Sequence, residues 1–273
     1  MKAAAFDYHR ASDAADALAV LAAQRGDAKV LAGGCSLGPL LNLRLARPGA
    51  LVDVRALPEL RGQSQTATSL VIGACRTHAE IEDGVVPDVT RGFMPRVARG
   101  IAYRPIRNRG TIGGSLAHAD PAADWVSAMV VLDATIHIRS QRGERREAAA
   151  SFVTAPFTTL LADDEIIAAV EVPSLSPSAR WSYHKISRKT GDFALAIGAA
   201  VVDPKRDTAR VVCGAVETAP VILSQTSAAL KRSAGEALAL VAADIDRLLP
   251  GHDHVFRQLH VTAVERAIRE LAP

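Results

Sequence analysis

Two Gly-Gly loops set the strongest constraint on what this chain can build. Residues 32–38 read AGGCSLG and residues 111–124 read TIGGSLAHADPAAD. Each places paired glycines just ahead of a serine, and the two lie about eighty residues apart. Glycine admits positive φ and lets a ligand or another backbone approach closely. Gly33 and Gly34 follow the apolar run AKVL and precede a segment carrying Pro39, so they turn a strand into a helix. Backbone N–H groups in such a turn, together with the helix N-terminus, suit a phosphate. Thr111, Gly113, Gly114 and Ser115 form a second backbone-rich loop that adds hydroxyls. Asp120 precedes Pro121 and is expected to cap a helix there. Asp124, one turn later, is expected to accept hydrogen bonds from sugar or ribityl hydroxyls. Two such loops from separate subdomains can clamp a dinucleotide's pyrophosphate between them.

Other chemistries fit the same residues less well. Gly34 to Gly38 also spells Gly-x-Ser-x-Gly, the elbow of serine hydrolases, with Ser36 as nucleophile and residues such as Asp124 and His184 as partners. Pro39 directly behind that elbow and its early position in the chain speak against it. Neither a Walker loop nor a dinucleotide fingerprint of the Gly-x-Gly-x-x-Gly type is present. His118 with Asp120 and Asp124 is a weak metal set. Three scattered cysteines cannot hold an iron–sulfur cluster, which usually takes four thiolates. Lysines and arginines are dispersed at a net charge of +3, and QRGERRE at 141–147 reads as a solvated hairpin tip, so no nucleic-acid partner is expected. No apolar run is long enough to cross a bilayer, and the first ten residues lack a signal peptide's apolar stretch. A cytoplasmic location is the expectation.

The length of 273 residues points to two domains. With aromatics at only 4%, the core must be chiefly aliphatic. Helices are predicted over 13–26, 37–49 and 92–102, strands over 28–34, 50–57, 68–78 and 164–177, and a hairpin over 134–150. The first of these pieces form a β-α-β unit with parallel strands. Antiparallel strands over 181–188, 194–203 and 209–218 then precede helices over 227–251 and 254–273. The fold class is α+β.

Three stretches carry a specific resemblance: AGGCSLGPLLNLRLARPGALVDVRALPEL, RNRGTIGGSLAHADPAADW and, at 183–196, YHKISRKTGDFALA. In order and spacing the chain resembles the medium, FAD-binding subunit of molybdenum hydroxylases, the type found in aerobic carbon monoxide dehydrogenase and bacterial xanthine dehydrogenase. The resemblance implies a two-subdomain FAD-binding domain of the vanillyl-alcohol-oxidase (PCMH) type over residues 1–175, divided near residue 57. A C-terminal α+β domain with an antiparallel sheet and helices, of the carbon monoxide dehydrogenase flavoprotein type, would follow over 176–273. It implies FAD as cofactor and no catalytic residue in this chain. Ala32, Gly33, Gly34, Cys35 and Ser36, flanked by Leu31 and Leu37, would form the first FAD loop. Thr111, Ile112, Gly113, Gly114 and Ser115 would form the second, with Ile101 and His118 nearby. Asp124 would bind the ribityl region, Lys185 and Phe193 would lie near the flavin ring, and Ile167 would wall the adenine or the flavin. Lys185 could there stabilise negative charge on the reduced flavin. Cys35, Ser115 and Phe193 stand where histidine or glutamine, asparagine, and in some members tyrosine are commoner. The implied partners are a small subunit with two 2Fe–2S clusters and a large molybdenum–pterin subunit, as a heterotrimer or a dimer of heterotrimers. Electrons would pass from those clusters through FAD to a quinone, NAD or oxygen. A stand-alone flavin oxidase or reductase, or a hydrolase using Ser36, are the competing readings.

Overall fold

The computed structural model describes residues 2–271. The chain opens with β1 (Asp7–Arg10), α1 (Ala14–Gln24), β2 (Ala28–Leu31), α2 (Leu37–Asn42) and β3 (Ala50–Asp53). The three strands form a parallel sheet in the order β1-β3-β2. Asp13 starts α1 by accepting the Asp16 N–H at 2.8 Å, and Arg25 and Gly26, both at positive φ, stop it. α2 is shorter than the predicted 37–49. It ends at Asn42, where Arg44 takes positive φ and the Leu45 amide folds back to the Leu40 carbonyl. β1 has no apolar alternation to betray it; it forms because β3 offers a parallel edge.

Asp53, at the end of β3, ties this sheet together. Its carboxylate accepts from the Arg55 guanidinium at 2.7 Å and from the Tyr8 hydroxyl. Burial alone would raise this carboxyl, but the bonds from Arg55 and Tyr8 hold it at about 2, against 3.8 in an unfolded chain. A lowered folded value means the ionised group stabilises the fold above 3.8 and loses that contribution as pH falls from there toward about 2. Wild type should therefore melt well above Asp53→Asn at neutral pH, and the gap should narrow across that acid window. A gap independent of pH would contradict this.

The middle of the chain runs β4 (Gln63–Gln65), β5 (Ser69–Gly73), then five helices: α3 (His78–Glu82), α4 (Phe93–Arg99), α5 (Arg104–Arg107), α6 (Ile112–His118) and α7 (Asp124–Val131). β6 (Thr135–Ser140) and β7 (Gly143–Ala148) make the predicted hairpin, followed by α8 (Ala149–Phe152), a small β8–β9 pair (Val153–Ala155, Thr158–Thr159) and β10 (Ile166–Pro173). The sheet order is β4-β5-β10-β6-β7, antiparallel throughout. A register shift between Ile167 and Ala169 breaks β10, and the freed Ala168 carbonyl accepts the Ala74 amide.

The last part is the antiparallel sheet β11 (Arg180–Ile186), β12 (Ala196–Asp203), β13 (Thr208–Gly214) and β14 (Val221–Ile222). One face is covered by α9 (Ser224–Leu230), α10 (Ala234–Leu248) and α11 (His254–Glu270). The single helix predicted over 227–251 is two, because Ser233 caps a new helix by accepting the Glu236 amide. The other face meets α7, every residue of which is buried. A helix apolar on all sides needs cover on all sides. Here Trp125, Met129 and Val130 share one core with Ala199, Val201 and Val212 of the C-terminal sheet. Gly214 has no side chain because Ser127 Oγ would sit 2.0 Å from its Cβ. Phe93 of α4 completes the junction, edge-on to Trp181 and Tyr183 of β11. Among the described residues, no helix is long and apolar enough to cross a membrane.

Candidate functional site

Between the parallel sheet, the β10 side of the antiparallel sheet and the 191–193 loop lies a cleft of about 1120 Å³. Its floor is the seam where the two glycine loops meet. The seam is backbone against backbone: a Cβ on Gly33 would lie 2.2 Å from the Arg109 carbonyl oxygen and 2.8 Å from the Gly110 Cα. Gly34 needs its glycine for a different reason, a φ of +74°. The second loop is held by short pairing to the segment after β5. The His78 amide donates to the Gly110 carbonyl at 2.9 Å, and the Ile112 amide to the Arg76 carbonyl at 3.0 Å. Gly113 then packs on Ala74, whose Cβ would lie 2.4 Å from an added side chain.

The two loops are not equivalent donors. Among the described residues, the amides of Gly33, Gly34, Cys35, Ser36 and Leu37 donate to no protein acceptor. In the second loop the early amides are taken. Ile112 donates to Arg76, Gly113 to the Ala74 carbonyl at 2.9 Å, and Gly114 to the Thr111 hydroxyl at 3.0 Å. The first loop is thus an open row of amides suited to phosphate oxygens. The second can offer the hydroxyls of Thr111 and Ser115, and its expected backbone donors are already spent.

Ala32 and Leu37, with the four residues between them, line the cleft, as do Ile101, Thr111, Gly113, Gly114, Ser115, His118, Asp124, Ile167 and Phe193. Three expected residues do not. Leu31 lies beneath Gly34, Ile112 is in the main core, and Lys185 sits behind Asp124. The Lys185 ammonium donates to Asp124 Oδ2 and to the Gly100 carbonyl, both at 2.9 Å. Tyr183 donates to Asp124 Oδ1 at 2.8 Å. Burial raises the Asp124 carboxyl, opposed by Lys185 and Tyr183, and burial with the nearby Asp124 holds the Tyr183 hydroxyl protonated far beyond the ordinary phenol range. Lys185 therefore presents no free positive charge to the cleft, as its pairing with Asp124 uses it. Asp124 keeps spare acceptor sites, since a carboxylate has about four and the protein fills two.

Asp120 does not cap a helix. Its carboxylate accepts the Ala122 amide at 2.9 Å in a local turn, and α7 begins at Asp124 rather than Pro121. Asp124 is accordingly the first residue of its helix, not one turn in. His118 packs against Phe157, ring centres 5.2 Å apart, and among the described residues no three His, Cys, Asp or Glu side chains converge as a metal would require. Ser36 has φ −99° and ψ −49°, ordinary helical backbone instead of a strained elbow, and His184 is engaged with Glu270 at 2.8 Å. The Cys35 thiol faces the Ile106 carbonyl at 3.7 Å.

Sequence reasoning missed one wall of the cleft, formed by Phe157, Thr158, Thr159 and Leu161. Phe157 is 59% exposed and, like Phe193 at 63%, stands at the rim. The signal was an aromatic between Pro156 and two threonines with no apolar pattern to bury it. His78 was missed as well, although its ring joins the cleft wall.

The size of the cleft, its open row of amides, the Thr111 and Ser115 hydroxyls and the Asp124 carboxylate fit a flavin dinucleotide. Residues 4–175 match the family described as FAD binding domain in molybdopterin dehydrogenase. The chain is 36% identical over 197 residues to the carbon monoxide dehydrogenase medium chain of Hydrogenophaga pseudoflava, covering 72% of this chain and 68% of that one. It is 38% identical over 202 residues to the 6-hydroxypseudooxynicotine dehydrogenase complex subunit alpha of Paenarthrobacter nicotinovorans, covering 74% and 68%. A solved structure of Hydrogenophaga pseudoflava carbon monoxide dehydrogenase lacking the Mo-pyranopterin moiety superposes with a TM-score of 0.90 at 30% identity, over 98% of both chains.

Proposed function

The chain belongs to the family of FAD-binding domains of molybdopterin dehydrogenases, and from that premise we propose that it is the FAD-binding, electron-transferring subunit of a multi-subunit molybdenum hydroxylase. The observation that carries the reading is the uninterrupted row of partnerless amides from Gly33 to Leu37, set at the seam of the two loops. A dinucleotide's pyrophosphate supplies the acceptors those amides lack. In the bound state FAD supplies an electron carrier that can take and give single electrons. The protein's own part is binding, orientation and exclusion of water.

The residue roles follow from position. Gly33, Gly34, Cys35, Ser36 and Leu37 cradle phosphate through backbone N–H groups. Thr111 and Ser115 add hydroxyl donors from the facing loop. Asp124, held by Lys185 and Tyr183, accepts from ribityl hydroxyls, and Lys185 serves to position it. Ile101, Ile167 and Phe193 supply apolar walls, with Phe193 exposed where a ring would need cover. The family supports a division into residues 1–175, which build most of the cleft, and 176–273, which adds the 191–193 loop to it and whose β11 holds Asp124 in place. The relatives' printed names describe chains of multi-subunit dehydrogenases. We assign this chain a small 2Fe–2S subunit and a large molybdenum–pterin subunit as partners, in a heterotrimer or a dimer of heterotrimers.

Affinity purification of the tagged chain from its native host tests this. The expected product is yellow, carries about one FAD per chain, and brings down an iron–sulfur chain and a larger molybdenum chain. Flavin without partners would point to the stand-alone flavoenzyme; no flavin would remove the reading.

A further inference from the structure

His78 is the one imidazole in the cleft wall that is almost fully buried, at 5% exposed. Its Nδ1 lies 3.0 Å from the Trp125 indole N–H. An indole nitrogen can only donate, so Nδ1 must be the bare acceptor, and in the neutral ring the proton sits on Nε2. Burial, reinforced by the Arg107 charge, pushes the ring down to about 4, which keeps it neutral at physiological pH. Arg107 itself is occupied by Glu82 and by the carbonyls of Ile101 and Ala102. Nε2 lies against Gly110, where an added Cβ would approach it to 2.7 Å, so the glycine keeps that side of the ring clear. Among the described residues, no acceptor takes the Nε2 proton. Nε2 keeps contact with the open cleft, so an oxygen placed there is free to take its proton.

We propose that His78 is a cofactor-binding residue: a neutral imidazole, locked in one tautomer by Trp125, that donates Nε2–H to an oxygen in the pyrophosphate–ribose segment of FAD at the glycine seam. The proposal rests on the flavin reading of the cleft. It makes Trp125 a positioning residue, since without the indole the tautomer is no longer fixed.

The test uses the full chain, stripped of flavin and titrated with FAD. His78→Phe keeps the ring and removes the donor; His78→Gln keeps a donor. The dissociation constant should rise about tenfold or more in His78→Phe and stay within about threefold in His78→Gln. In wild-type protein labelled with ¹⁵N-histidine, the Nε2–H proton resonance should move downfield on adding FAD and the ring should remain the Nε2–H tautomer. If His78→Phe fails to fold, that resonance decides alone. A resonance unmoved at FAD saturation, or a folded His78→Phe that binds FAD like wild type, overturns the proposal while leaving the flavin reading intact. Wild type that binds no FAD overturns both.

Discussion

Lys185→Met should lower the unfolding free energy of the flavin-free protein by about 3–5 kcal/mol, the usual cost of removing one partner from a buried ion pair. Both partners are well enclosed, with side chains 11% and 6% exposed. Methionine would fill the volume but leave the Asp124 carboxylate facing only the Tyr183 hydroxyl. Lys185→Met/Asp124→Leu should recover much of the loss, because an apolar pair carries no desolvation penalty. The sign with pH is definite. The Asp124 carboxyl is already raised by burial, and losing Lys185 raises it further, so the folded state favours the protonated form. The deficit should therefore be largest near neutral pH and shrink as pH falls. Urea unfolding of the apo-protein at several pH values measures it. A deficit under about 1 kcal/mol at neutral pH would mean that the pair behaves as an exposed one. The same geometry makes Asp124→Ala costly even without flavin, because it strands the Lys185 ammonium.

Gly33→Ala should strip the protein of FAD and destabilise it by about 1–3 kcal/mol, at the upper end because the atoms in the way are backbone. A ligand-only role for Gly33 predicts loss of flavin with an unchanged melt. The seam predicts both, since one methyl group separates the loops that frame the site. Gly38→Ala is the matched control, as nothing lies within 4 Å of its Cβ position. Flavin-to-protein ratio and thermal melting read the result. Full flavin content and a wild-type melt in Gly33→Ala would show that the seam can open without cost.

The elements most legible in the sequence were those whose boundaries are written locally. Asp13 and Gly26 frame α1, Gly143 turns the β6–β7 hairpin, and the glycine pairs mark both loops. The resemblance to the FAD-binding subunits held over the whole chain. What escaped was set by distant partners. β1 exists because β3 has a free edge, and Asp120 lost its expected cap because α7 starts where Asp124 can reach β11. The inequality of the loops depends on which carbonyls face Ile112 and Gly113, which no local pattern records. Ser233, by contrast, is a readable cap, three residues ahead of Glu236, inside the span predicted as one helix.

The burial of α7 has a consequence for how the chain is made. Its apolar flank is covered by strands that end at Gly214, more than eighty residues after the helix itself ends at Val131. At synthesis rates of about 5–20 residues per second, a nascent chain carries that flank uncovered for roughly 4–17 s after the helix has left the ribosome's catalytic centre. During that interval the first 175 residues can assemble their sheets, but Trp125, Met129 and Val130 lack the cover that Val201 and Val212 later provide. A messenger truncated near codon 175 would then yield a product that aggregates or recruits chaperones, and slow codons between 131 and 214 would lower the yield of folded protein without altering one amino acid.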